Sequence, residues 1–332
     1  MKILILGAAG FIGNNLAMNL SLDPNNELIL VDNYFRGKED KNFLDTANKE
    51  NCRFINCDLT NPLSFNELHE DYDQIYFLAS VVGVGFTNDF PKRVIELNTK
   101  IILNTLEWLN NIKSKPKILF TSTSECYASS IESMHGPIPT PENIPLSVRD
   151  ISEPRFSYAI TKMLGEAGII HYCNELGFDY SIIRYHNVYG PRMGFSHVIP
   201  QVIERFLKNE NPFRVYGYNQ TRSFNYISDA IQGTLLAMNK ESNKKIFHIG
   251  SLEEISIQEL VEFIGTLLEF NGDYEKSAAP SGSVNRRCPD IALAKKELGY
   301  RPLITWRDGV KSTVEWYVNY FNANKYDSIK YS

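Results

Sequence analysis

The sequence is poor in cysteine, in runs of basic residues and in long apolar stretches, and each shortage removes a class of function. Its five cysteines (Cys52, Cys57, Cys126, Cys173, Cys288) are an odd number with no metal-ligand spacing. A reduced, cytoplasmic chain without a metal site is therefore expected. No stretch of about 20 apolar residues offers a membrane span. The N-terminal apolar segment meets glycine too early for a signal peptide. With a net charge of −5 and no basic run, the chain lacks the footprint of a nucleic-acid binder. Nothing repeats internally. What remains is ordinary for a soluble globular protein, 43% hydrophobic and 22% charged, and 332 residues can hold one large domain or two modest ones.

The first pattern with chemical content is Met1-Lys2-Ile3-Leu4-Ile5-Leu6-Gly7-Ala8-Ala9-Gly10-Phe11-Ile12-Gly13. A short apolar run ends at Gly7, and a helical pattern opens inside the glycine turn. Such a turn lets a dinucleotide pyrophosphate approach the N–H groups of a helix start. The next apolar run, Glu27 to Val31, leads straight into Asp32. A carboxylate there would accept hydrogen bonds from an adenosine ribose and repel a 2′-phosphate, which favours NAD over NADP.

The second pattern is Ser157-Tyr158-Ala159-Ile160-Thr161-Lys162. Residues i and i+4 share a helix face, so the Lys162 ammonium should lie beside the Tyr158 phenol. A free phenol, with a pKa of about 10, is a poor base at neutral pH. A neighbouring cation should lower that value and make Tyr158 an acceptor for the proton of a sugar or alcohol hydroxyl.

Between these patterns the chain alternates. Strands are expected at 2–6, 27–31, 52–55, 74–78, 117–121 and 180–184, and helices near 11–21, 63–70, 92–112 and 157–176. That rhythm predicts an α/β fold, a Rossmann-like doubly wound parallel sheet whose ligands lie beyond the strands' carboxyl ends. Polar residues fall at those ends: Asp58, Ala79-Ser80 and Ser122-Thr123-Ser124-Glu125. Segment 128–154 holds five of the 15 prolines and reads as a loop over the site. From about 186 the rhythm loosens, and Asn211-Pro212, Gly217 and Pro280-Ser281-Gly282 point to a smaller, interleaved lobe. The expected division is 1–185, with a returning segment 226–252, for the cofactor and 186–332 for the substrate.

Taken together, Gly7/Gly10/Gly13, Asp32, Asp58-Leu59, Phe77-Leu78-Ala79, Asn98, Thr123, Tyr158/Lys162, Arg184-Tyr185-His186-Asn187, Arg222 and Arg287 resemble the extended short-chain dehydrogenase/reductase family that modifies nucleotide sugars, over nearly the whole chain. The resemblance implies tightly bound NAD and oxidation of a sugar hydroxyl, followed by transformation of the ketone. It implies a cofactor site of Gly7, Gly10, Phe11, Ile12, Gly13, Asp32, Asn33, Asp58, Leu59, Ala79, Asn98 and Tyr185, with Lys162 on the nicotinamide ribose. Thr123, Ser124, Glu125, Tyr158 and Lys162 would be catalytic, with Tyr158 as the base. Asn187, Val198, Tyr216, Arg222 and Arg287 would hold a nucleotide-diphosphate sugar, arginine matching a diphosphate with its planar fork of donors. His186 reads as a packed supporting residue. The implied partners are that sugar nucleotide and a second copy of the chain, the long helices pairing in a homodimer.

Three reactions can follow oxidation at sugar carbon 4: loss of carbon dioxide, loss of water, or return of hydride to the opposite face. Thr123-Ser124-Glu125, Gln220 to Asp229 and Arg287-Cys288-Pro289-Asp290-Ile291 are most similar to UDP-glucuronate decarboxylases. A 4,6-dehydratase using Glu125 as the carbon-5 base and a 4-epimerase stay open as alternatives, and a non-catalytic NAD sensor as a remote one.

Overall fold

The computed structural model describes residues 1–279 and 283–323. Six strands lie along the first 185 residues: β1 (Lys2–Leu6), β2 (Glu27–Asp32), β3 (Cys52–Asn56), β4 (Gln74–Phe77), β5 (Lys117–Thr123) and β6 (Asp179–Tyr185). The returning strand Lys245–Ile249 completes a seven-stranded parallel sheet, beside β6 at one edge. From there the order runs β6, β5, β4, β1, β2, β3. β1 and β4 meet at the centre, where the strand order reverses, and that crevice is where such sheets bind ligands.

The apolar runs that predicted the strands are buried on both faces. Ile3 and Ile5 pack on one side, with α1 (Phe11–Leu20), while Leu4 and Leu6 pack on the other, with α4 (Pro91–Leu109) and α6 (Phe156–Leu176). Both faces of a parallel sheet are covered by its crossover helices, so its strands read as continuous rather than alternating apolar runs. α4 starts with Pro91, a residue suited to a helix's first turn, and α6 stops at Gly177 in the left-handed conformation.

The expected helix at 63–70 is only a short 3-10 turn, Pro62–Glu67, capped by Asn61. Three short helices escaped the pattern: α2 (Lys41–Ala47), α3 (Val84–Asp89) and α5 (Ala128–Ser133). Six or seven residues carry too few turns for a 3.6-residue period to register. α5 lies inside the expected loop 128–154, the rest of which is irregular but pinned. Thr140 bridges to Pro289, and Arg184 Nη1 donates to the Glu142 carbonyl at 2.9 Å.

A second core gathers around helices Val198–Leu207, Ile257–Leu267 and Trp306–Ala323, with Ile203, Phe206, Phe213, Ile264, Val310 and Tyr317 buried in it. Ser256 and Glu259 form a capping box at the start of the second of these helices. Pro280-Ser281-Gly282 and the last nine residues of the expected substrate lobe lie outside the described residues.

Candidate active site

The glycine turn is built by close approach. A Cβ at Gly13 would stand 2.0 Å from the Gly7 carbonyl oxygen, and Gly7 itself has φ +90°. The turn can therefore fold tightly onto the start of α1, whose first N–H groups have no partners four residues back. Asp32 faces the turn. Its carboxylate accepts from Ala9 N at 3.0 Å and Tyr34 N at 2.8 Å. Burial raises its pKa, opposed by those backbone bonds and the Arg192 charge. A cleft of about 200 Å³ opens here, lined by Gly7, Asp32, Asn33, Asp58, Leu59 and Ala79. Its backbone approach, ribose-facing carboxylate and apolar walls fit the adenosine half of NAD. Arg36 and Arg93 also line it. Gly13→Ala should cost about 3 kcal/mol of stability, because the new methyl meets backbone rather than a yielding side chain. Thermal melts and NAD titration of the purified variant check this, both falling together.

Asn98 supports the cleft from behind. Its carboxamide accepts from Val81 N at 2.7 Å and donates to Val81 O at 3.0 Å, clamping the chain after β4. It also donates to Thr161 Oγ1 on α6 at 3.3 Å. Asp58 accepts from Thr60 N and Thr60 Oγ1, and Leu59 O accepts from Asn104 Nδ2. The Tyr185 hydroxyl is hydrogen-bonded to Thr234 Oγ1 at 2.5 Å, so its ring packs into the core behind the sheet.

α6 comes close to β5 because Gly165 has no side chain: a Cβ there would overlap the Phe120 ring. This brings Lys162 against Thr121 near the end of β5, with Tyr158 one turn earlier on the same helix face. Lys162 Nζ donates to Thr121 O at 2.8 Å and lies 4.8 Å from the Phe120 ring centroid and 5.8 Å from that of Tyr158. The electrostatic expectation for this pair is corrected. Burial pushes the Tyr158 phenol above its ordinary value, with the Cys126 and Glu125 charges adding to it. Burial likewise lowers Lys162 to about 8. The pair shares a face, as its spacing requires, but desolvation outweighs mutual attraction, leaving a protonated phenol beside a weakened ammonium.

Thr123 ends β5, and its hydroxyl accepts from Glu125 N at 3.2 Å, capping the 3-10 turn Ser124–Tyr127. Ser124 is only 2% exposed. Glu125 is held by two guanidinium groups: Arg287 Nη1 donates to Oε1 at 2.7 Å, and Arg155 Nη2 to Oε2 at 2.9 Å. Burial opposes its charge, yet Arg287 and Arg155 win and hold the carboxyl near a pKa of about 2. Arg287 is 5% exposed, and its other terminal nitrogen, Nη2, is buried without a hydrogen-bond partner among the described residues.

Arg222 lies nearby, and among the described residues no carboxylate pairs with it. Its terminal nitrogens donate to the carbonyls of Thr221, Val284 and Asn285 and to Gln220 and Ser283. Burial and the Arg287 charge lower its pKa to about 9. Neutral acceptors hold this cation without neutralising it, which leaves its charge for an anion. Asn187, at φ +38°, donates to Ser223 O at 2.8 Å and steadies the same wall. Val198 opens the helix Val198–Leu207, and Tyr216, 47% exposed, stands at the rim with the Arg205 guanidinium over its ring.

Sequence reasoning missed Arg155. The available signal was its position three residues before Tyr158, which puts both at the start of α6. It also passed over Tyr127, whose hydroxyl is hydrogen-bonded to His186 Nε2 at 2.5 Å. Burial and the neighbouring His248, Arg287 and Arg184 keep His186 neutral, well below its usual pKa, so it supports the turn rather than titrating.

Among the described residues no group of three His, Cys, Asp or Glu could hold a metal ion, and no helix is long and apolar enough to cross a membrane. The model of the NAD dependent epimerase/dehydratase family matches residues 3–250. A UDP-N-acetyl-alpha-D-glucosaminuronate decarboxylase of Bacillus cytotoxicus is 33% identical over 327 residues, covering 95% of this chain and 97% of that protein. The UDP-glucuronic acid decarboxylase 5 of Arabidopsis thaliana is 32% identical, with 93% and 87% covered. Among solved structures, a tyrosine-to-phenylalanine variant of a Bacillus cereus UDP-glucuronic acid 4-epimerase, bound to a fluorinated UDP-sugar acid and NAD, superposes with a TM-score of 0.84 at 25% identity, covering 96% of this chain and 100% of that one. The glycine turn, the cleft beside Asp32 and the tyrosine–lysine face thus have their explanation: the chain belongs to the NAD dependent epimerase/dehydratase family.

Proposed function

We propose that the protein is an NAD-dependent nucleotide-sugar decarboxylase acting on a UDP-linked uronic acid. The observation that carries this reading is the pairing of Glu125 with two arginines, one of which keeps an unsatisfied buried donor, Arg287 Nη2. A buried guanidinium nitrogen without a partner is costly unless an acceptor arrives, and a sugar carboxylate is such an acceptor. Arg222 adds a further cation for the diphosphate.

Glu125 also bears on the choice of reaction. A carboxylate held near a pKa of about 2 is a feeble base. Dehydration would ask Glu125 to remove the carbon-5 proton, whereas decarboxylation breaks the carbon 5–carbon 6 bond without a base. NAD, when bound at the cleft, supplies a hydride acceptor for sugar carbon 4 and a positive charge beside the phenol. That charge, with Lys162, would favour loss of the phenol's own proton to solvent, and the resulting Tyr158 phenolate takes the carbon-4 hydroxyl proton, with Thr123 hydrogen-bonding the same oxygen. The ketone makes the uronate a beta-keto acid. As carbon dioxide leaves, the electron pair passes to the carbon-4 oxygen, where Tyr158 and Thr123 stabilise it; a proton added at carbon 5 and hydride returned to carbon 4, with Tyr158 giving its proton back to the oxygen, would complete a product lighter by carbon dioxide alone. Val198 and Tyr216 would contact the uridine, with Asn187 placing the phosphates.

We read residues 186–332 as the lobe seating the sugar nucleotide. A cytoplasmic setting is supported by five free cysteines. A homodimer is supported by Ile95 and Leu103 on α4 and Ile160 and Leu164 on α6, apolar residues that stay exposed. Incubation with UDP-glucuronate and UDP-N-acetylglucosaminuronate, read by mass spectrometry, tests the reaction. Product lighter by the mass of carbon dioxide is expected. Loss of water would install the dehydratase instead, and an isomer of unchanged mass the epimerase.

A further inference from the structure

We propose that Arg192, which the chain carries on the second core, is the positioning residue that holds the cofactor loop closed and so sets how long the dinucleotide stays bound. Its guanidinium makes five hydrogen bonds to two separate segments. Nε and Nη2 grip the Asp40 carboxylate as a fork, at 2.7 and 3.0 Å, and Nη2 also donates to Lys38 O at 3.1 Å. Nη1 reaches the glycine turn, donating to Ala9 O at 3.2 Å and Gly10 O at 3.3 Å. One side chain thus ties the glycine turn and the segment after Asp32, each next to residues that line the adenosine cleft, to a third element. Arg192 and Asp40 are 152 residues apart in sequence.

The segment that Arg192 pins lies directly on the residues expected to meet the cofactor. A Cβ at Gly37 would fall 2.7 Å from Ala9 Cβ and 2.9 Å from Asp32 Oδ1. Lys38 N donates to Ala9 O, and Ala9 N donates to the Asp32 carboxylate. A movement at Asp40 is therefore transmitted to Asp32 through contacts without slack. Lys38 adds a second tie, its ammonium lying 4.6 Å from the Phe195 ring centroid. The anchor itself is firm: Tyr317, buried in the second core, donates to Met193 O beside Arg192. Arg192 holds a left-handed φ of +69°, a conformation that a non-glycine residue keeps only when its surroundings enforce it. It is 7% exposed with its donors engaged, so it is placed to act through the loop rather than on a ligand.

An enzyme that returns hydride, or must finish its reaction before releasing product, loses a turnover whenever its dinucleotide escapes. The inference rests on NAD binding alone and holds whichever sugar reaction follows. Asp40→Asn is the cleanest probe. Asp40 also caps α2 by accepting from Phe43 N at 3.0 Å, and asparagine caps a helix as well as aspartate does. The cap is kept, while the charge and one of the fork's two acceptors are lost. Arg192→Lys keeps the charge but not the fork.

NAD affinity and dissociation rate are measured well below each variant's melting midpoint, with near-ultraviolet circular dichroism, in a Trp108→Phe background that leaves Trp306 and Trp316, reporting on the second core. The expected result is NAD binding about tenfold weaker for Asp40→Asn and about thirtyfold weaker for Arg192→Lys, carried mainly by faster dissociation, with the tryptophan signal unchanged. The double variant should lose little more than Arg192→Lys alone. NAD binding within twofold of the parent in both single variants overturns the proposal. So does a collapse of the tryptophan signal, which would make Arg192 a strut of the second core.

Discussion

Tyr158→Phe is expected to lower turnover by about 10³-fold while NAD remains bound, because it deletes one oxygen and leaves the ring in place. The side chain is half-buried, and desolvation of its phenol lifts the pKa. A proton leaves such a group only if positive charge collects around it. Lys162 supplies part of that charge, but its own pKa of about 8 means that it neutralises as pH rises. Activity should therefore fall above about pH 8 in the parent protein. Stability moves the other way. Between the folded value of about 8 and the ordinary value near 10.5, the unfolded chain binds more protons than the folded one, so this group makes the fold more stable as pH rises. A pH–rate profile beside a pH–stability profile separates the two. Turnover of Tyr158→Phe within tenfold of the parent would remove the phenol from the chemistry.

The opposed directions explain what sequence could and could not convey. The spacing of Tyr158 and Lys162 fixed their shared face, since helix geometry is local. Whether attraction or desolvation decides the phenol's pKa depends on Phe120, Cys126 and the depth of the pocket, which belong to tertiary packing. All six early strands were legible within about two residues; the five inside the sheet are buried on both faces and leave apolar runs, whereas the edge strand β3 (Cys-Arg-Phe-Ile-Asn) is mixed and partly exposed. Short helices such as Val84–Asp89 left no such trace. Asp32 was readable from its distance to the glycines, whereas Arg155 and Arg192 were not. Each acts on a partner 30 or more residues away, Glu125 in one case and Asp40 in the other, and no local period encodes that meeting.

Arg287→Leu is the other change with a large expected effect. It should abolish activity on a UDP-uronic acid and destabilise the protein by about 3 kcal/mol, the scale for stripping one partner from a buried ion pair. Both ends are well covered: the Arg287 side chain is 7% exposed and that of Glu125 is 21% exposed. Leucine roughly fills the space, so the loss reflects an under-compensated carboxylate rather than a cavity. The acid limb of the stability curve reports this directly. Glu125 has a folded pKa of about 2 against an ordinary 4.5, so its pairing stabilises the fold above that ordinary value. The stabilisation fades as pH falls through about 2. With Arg287 gone, burial regains ground against Arg155 alone, the carboxyl rises, and the acid limb should shift to higher pH. Glu125→Gln in the Arg287→Leu background should recover much of the lost stability, since it removes the stranded charge, yet recover no decarboxylation. If that double variant stayed as unstable as Arg287→Leu, the ion pair would not be the source of the loss. If Arg287→Leu still released carbon dioxide at the parental rate, the carboxylate would have to be seated elsewhere.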